Sequence, residues 1–185
     1  MGRLNNQTEY IQEKIILNEP VKYDETPRIL IIDCDSLFYH ACYNPDREAI
    51  DINGNSLFTL TPEEDLEKCK YNLDSKIQDI TNTVEKYYNI TNTAMFWGGK
   101  NNFRYEIYPD YKKNRKTAKP TPYLSEIKEY FNEKYDSTQA EGCEADDYVY
   151  NAYLLSNKQC VIGAIDKDVI SQCWGVPVYY YNRRK

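Results

Sequence analysis

The chain has 185 residues, of which 41% are hydrophobic, and a formal net charge of -6. That length suits one domain with a sizeable buried core, and the composition excludes a disordered or membrane-spanning chain. No apolar run approaches the roughly 20 residues of a transmembrane helix, and the N-terminus lacks the apolar core of an export signal, so a cytoplasmic protein without membrane contact is expected.

Residues 1–27 read as an extension, in which Tyr10, Ile11, Ile15, Ile16 and Leu17 line a short helix ending before Pro20. Residues 28–185 read as the folded domain. Arg28-Ile29-Leu30-Ile31-Ile32 is a continuous apolar run, the pattern of a strand buried on both faces of a parallel sheet. It ends in Asp33-Cys34-Asp35-Ser36, after which Leu37, Phe38, Ala41 and Cys42 follow with helical spacing. Acids at the carboxyl end of such a strand sit where open α/β sheets hold ligands. The plainer role, capping the next helix, is one that Ser36 can fill instead. His40 is assigned no function. Asn53-Gly54 marks a turn. Thr61-Pro62-Glu63-Glu64 opens a long helix whose apolar stripe is Leu66, Cys69, Leu73, Ile77, Ile80, Val84 and Tyr88. Ala94-Met95-Phe96-Trp97 is the second buried strand, and it breaks at Gly98-Gly99.

From Asn101 the chemistry changes. Arg104 precedes Tyr108-Pro109-Asp110-Tyr111, then Lys112, Lys113, Arg115, Lys116 and Lys119, with no acid between Tyr111 and Ser125. Interleaved tyrosines and cations suit nucleic acid, because bases stack on aromatic rings and phosphates pair with Lys and Arg. A solvated charged face is the plainer alternative. A helix follows from about Tyr123 to Lys134, then a short strand over Ser137-Thr138-Gln139-Ala140. Glu141, Glu144, Asp146 and Asp147 come next, ahead of a helix buried through Ala145, Tyr148, Val149, Ala152 and Tyr153. Such acids either hold a cation or complement the dipole of that helix. Residues 160–165 form a further buried strand ending in Asp166-Lys167-Asp168, and residues 176–181 a last one. The six cysteines include no Cys-x-x-Cys pair, so neither a zinc site nor a disulfide framework is expected.

The order β-α-β-α-β-α-β-β predicts a mainly parallel sheet between helical layers. Three strand ends then deliver acids to one edge: Asp33; Glu144 with Asp146 and Asp147; and Asp166 with Asp168. Oxygen-only clusters suit Mg²⁺ or Mn²⁺. Two such ions roughly 3.5–4 Å apart activate a water and stabilise the leaving oxygen of a phosphodiester, with the basic segment contributing phosphate contacts.

The chain also resembles the 5′→3′ exonuclease and flap endonuclease family in its bacteriophage branch. The resemblance is carried by Ile31-Ile32-Asp33-Cys34-Asp35-Ser36, Phe103-Arg104, Tyr108-Pro109-Asp110-Tyr111-Lys112-Lys113-Asn114-Arg115, Gly142-Cys143-Glu144-Ala145-Asp146-Asp147 and Asp166-Lys167-Asp168. It implies a three-layer α/β/α PIN-like domain that cleaves DNA or RNA–DNA hybrids at 5′ ends or flaps with two Mg²⁺ or Mn²⁺ ions. By position, it implies that Asp33, Glu144 and Asp146 hold the first metal with Asp147 nearby, and that Asp166 and Asp168 serve the second. It likewise makes Lys112 the active-site lysine and places Arg115 and Arg104 against the substrate strand. Tyr111, Lys113, Lys116 and Lys119 are expected nucleic-acid contacts. Two departures stand out. Trp97-Gly98-Gly99 falls where the family usually has a further metal-binding Asp, and the chain stops at Lys185 where members continue into a helix-hairpin-helix clamp. The resemblance leaves three forms open: a piece of a longer chain, half of a split nuclease whose partner is a separate C-terminal subunit, or a natural short form. Two other classes fit the residues: a nucleic-acid-binding or docking module with little catalysis, and a stand-alone PIN-type ribonuclease.

Overall fold

A computed structural model describes residues 23–99, 101–113 and 120–180. The helix expected over Tyr10–Leu17 lies outside them. β1 (Asp24–Asp33) is followed by α1 (Asp35–Cys42), a 3₁₀ turn (Pro45–Glu48) and α2 (Pro62–Glu85). β2 (Tyr88–Gly98), α3 (Arg104–Ile107), α4 (Leu124–Lys134) and β3 (Thr138–Ala140) come next. α5 (Ala145–Leu155), β4 (Cys160–Ala164), α6 (Lys167–Gln172) and β5 (Val178–Tyr180) complete the order.

The strands form one five-stranded sheet in the order β3-β2-β1-β4-β5, and every pairing is parallel. β1 is central, which is why its second half is a continuous apolar run with both faces covered. Leu30, Ile32 and Val161 face one layer with Phe38, Leu73, Ile80 and Phe131, contributed by α1, α2 and α4. Ile31, Ile162 and Ala164 face the other with Val149, Tyr153 and Val169, from α5 and α6. The chain winds outward from β1 to β3, then returns over the opposite face to β4. Strand order therefore reverses between β1 and β4, the crevice where such sheets bind ligands.

α2 starts as its sequence dictates. The Thr61 hydroxyl accepts the Glu64 amide at 3.2 Å, and the Glu64 carboxylate accepts the Thr61 amide at 2.8 Å. The start of α1 differs from expectation. Ser36 does not cap it; Cys34 takes the cap position without a side-chain bond, and Asp33 Oδ1 accepts the Asp35 amide at 3.2 Å. The last two strands, expected in direct succession over residues 160–165 and 176–181, prove to be β4 and β5 joined by α6, since parallel neighbours need a crossover. Buried Asp65 is held by Arg47 Nε at 2.5 Å and Asn44 Nδ2 at 3.1 Å, pinning the 3₁₀ turn to α2. Among the described residues, no helix is long and apolar enough to cross a membrane.

Candidate active site

Asp33 is the last residue of β1 and only 4% exposed. Burial pushes its carboxyl up to about 7, and the charges of Asp35, Asp146 and Asp166 push the same way against the Asp35 amide. A buried carboxylate crowded by other carboxylates is a group that a cation would relieve. Asp166 lies just past β4 and caps α6, its Oδ1 accepting the Asp168 amide at 2.9 Å.

The turn before α5 is built on Gly142, whose φ of +70° suits glycine. Its carbonyl accepts the Phe103 amide at 2.7 Å, so the start of α3 is tied to this turn. Glu144 caps α5 and is bonded by Lys112 Nζ, and by Tyr111 Oη at 2.8 Å. Burial works to raise its carboxyl, but Lys112 and Tyr111 hold it below the usual carboxylate value. Asp147 takes both Arg104 guanidinium nitrogens at 2.7 Å and the Glu144 amide at 3.0 Å, and Arg104 lowers its carboxyl in turn. Half-buried Asp146 is raised, first by burial and then by Glu144 and Asp166.

These elements enclose a cleft of ≈ 660 Å³. Asp33, Asp35, Glu144, Asp146 and Asp166 line it together with Lys112, Lys128, Tyr39 and Tyr105. The structure thus brings together Asp33, Glu144, Asp146, Asp166 and Lys112. Asp147 serves Arg104 and the helix start, Tyr111 serves Glu144, and Arg104 is spent on Asp147. Asp168 is exposed on the first turn of α6 and does not line the cleft. Lys113 pairs with Asp110 at 3.0 Å on the surface. Arg115, Lys116 and Lys119 lie outside the described residues.

Sequence reasoning missed Lys128, whose ammonium sits 5.5 Å from the Phe38 ring centroid and 5.6 Å from that of Trp97. On an amphipathic helix it is indistinguishable from a solvated lysine. The donor set fits Mg²⁺ or Mn²⁺ in kind, being carboxylate oxygens gathered at one sheet edge. It is not a ready-made cage: among the described residues, no three acidic, His or Cys side chains form a group that could hold an ion. Glu144, turned to Lys112, is one reason.

An α/β/α sandwich wound this way, with acids at the carboxyl edge of its parallel sheet, is a PIN-like domain. The chain belongs to the 5′-3′ exonuclease family, whose N-terminal resolvase-like domain matches residues 28–184. Among solved structures it is similar to T5 5′-exonuclease with divalent metal ions (zinc) bound, at 18% identity and TM-score 0.50 over 78% of this chain and 52% of that one. A second match is the T5 D15 protein co-crystallised with metal ions, at 18% identity and TM-score 0.49 over 77% and 50%. The chain spans about half the length of both T5 proteins. No curated protein matches significantly.

Proposed function

We propose that the chain is a metal-dependent phosphodiesterase acting on 5′ ends or flaps of DNA or RNA–DNA hybrids, in phage-type replication or repair in the cytoplasm. The observation that carries this reading is buried Asp33, whose strongest charged neighbours are three further carboxylates at the switch point of the sheet. Asp33, Glu144 and Asp146 would hold a first Mg²⁺ or Mn²⁺ ion with Asp147 behind them, and Asp166 with Asp168 a second. Such ions activate a water and stabilise the leaving oxygen of the phosphodiester.

The chain's own residues do the rest. Lys112 neutralises Glu144; with Glu144 engaged by a metal ion, the ammonium would be within the cleft to meet a phosphate oxygen. There it stabilises charge that develops in the transition state. Tyr105 and Tyr111, 5.7 Å apart as an edge-to-face pair, hold the segment that carries Lys112. Arg104, Lys113, Arg115, Lys116 and Lys119 would contact the substrate strand, with Arg115 the second cation at the reacting phosphate.

The test is cleavage of a 5′-flapped duplex with Mn²⁺ or Mg²⁺. Asp166→Ala should lower the rate by at least about 10²-fold, and chelator should stop it; product in chelator would remove the metal account. One observation favours a second reading, a binding module with little catalysis. Glu144 and Asp147 are already neutralised by Lys112 and Arg104. On that reading duplex binds with salt-dependent affinity that Lys112→Ala weakens, and no product forms.

A further inference from the structure

β2 brings no carboxylate of its own to the cleft, for no acid occurs between Glu85 and Glu106 and the strand ends on Gly98. Asp33 of β1 is in register with Phe96 of β2, so Gly98 reaches the level of the turn between β1 and α1. There the Asp35 side chain crosses the seam between the strands. Its Oδ1 accepts the Gly98 amide at 2.9 Å. Its Oδ2 lies 2.7 Å from where a Cβ on Gly98 would stand. Any side chain at 98 would need the space that this carboxylate fills, and Gly98 is the residue that leaves it open. Gly99 offers no substitute position, because a Cβ there would meet the Ala140 carbonyl oxygen at 2.1 Å.

We propose that Asp35 is a ligand of the divalent-cation site, delivering from the start of α1 the carboxylate that β2 lacks. This rests on the metal-dependent reading above. The amide bond from Gly98 fixes the direction of the Asp35 carboxylate without cancelling its charge. Asp35 lines the same cleft as Asp33 and Asp146, and unlike Glu144 it is not tied to Lys112. That suits a cation which keeps several waters and takes few protein oxygens. The competing role is mechanical: a latch between the turn and β2, with a charge favourable to the start of α1. An amide side chain preserves the latch and removes the charge, so Asp35→Asn separates the two.

The experiment titrates Mn²⁺ into the full chain by calorimetry, with free Mn²⁺ followed in parallel by electron paramagnetic resonance. Asp35→Asn should weaken Mn²⁺ binding by about 10-fold or more while the metal-free melting temperature holds or rises. The exchange variant Asp35→Gly/Gly98→Asp returns a carboxylate to the same space from β2 and should recover most of that loss. If Asp35→Asn binds Mn²⁺ like the wild type while Asp33→Asn does not, the metal site stands and Asp35 is only a latch. If the wild type binds no Mn²⁺, the metal-dependent reading falls and this proposal with it. Should the exchange variant fail to fold, Asp35→Asn decides alone.

Discussion

At the seam of β1 and β4, Asp33 is buried among Asp35, Asp146 and Asp166, and its carboxyl rises to about 7. At the start of α5, Glu144 lines the same cleft and its amide bonds Asp147, yet Lys112 and Arg104 hold both carboxyls below the usual carboxylate value. In sequence these acids look alike. The difference lies in the partner the fold supplies: the charged neighbours of Asp33 are carboxylates, whereas the α5 turn receives the basic segment through Phe103 and Gly142. A cation entering the cleft therefore meets one group of carboxylates that gains from it and another that must first give up a partner.

The strongest way to break this contrast is Asp33→Asn. In metal-free protein the folded Asp33 binds its proton up to about pH 7, the unfolded chain only to about 3.8. The folded state holds the extra proton between those values, so this group makes stability fall as pH rises from about 4 to about 7 and keeps it low above. Asparagine removes the burden. Urea melts in chelator should show a gain of up to about 4 kcal/mol at pH 8 and almost none at pH 4. Equal gains at both pH values would show that buried charge is not the cause.

Asp65 sharpens the comparison from the other side, as a buried carboxylate whose cation is built in. Burial works to raise its carboxyl, but Arg47 and Asn44 bring it below the usual value. Asp65→Ala should cost about 3 kcal/mol by stranding Arg47 and lower the melting temperature by roughly 10 °C; an unchanged melt would mean that water serves Arg47 equally well. The smallest effect is expected at Lys112→Met. Freed from its cation, Glu144 should let Mn²⁺ bind about 3-fold more tightly even as cleavage falls. Weaker Mn²⁺ binding would show instead that Lys112 organises the site.

Much of the fold was legible because periodicity and burial coincide. Leu37, Phe38, Ala41 and Cys42 are all buried on α1, as are Ala145, Val149 and Tyr153 on α5. Tyr148 and Ala152, expected beside them, are only half-buried because they sit at the border of the covered face. β2 begins at Tyr88, well before the apolar run at Ala94, since its first half is half-exposed and reads as Asn-Ile-Thr-Asn-Thr. α6 was hidden by its six-residue length, too short for a helical period to show. At the site, acids at strand ends could be read and their partners could not. Asp35 crossing to Gly98, Asp147 serving Arg104 and Arg47 serving Asp65 each join residues 18 to 63 positions apart.

The hydrogen bond from the Phe103 amide to the Gly142 carbonyl has a consequence for how the cleft can open. It joins the two segments through peptide groups, so of all replacements at 103 only proline removes its donor, and charge variants on either side leave both bonding groups in place. Swinging the basic segment away from the acids would have to break this bond first. Exchange of that single amide with heavy water is therefore a built-in gauge of opening, readable in the wild-type chain and comparable with and without metal or a nucleic-acid strand.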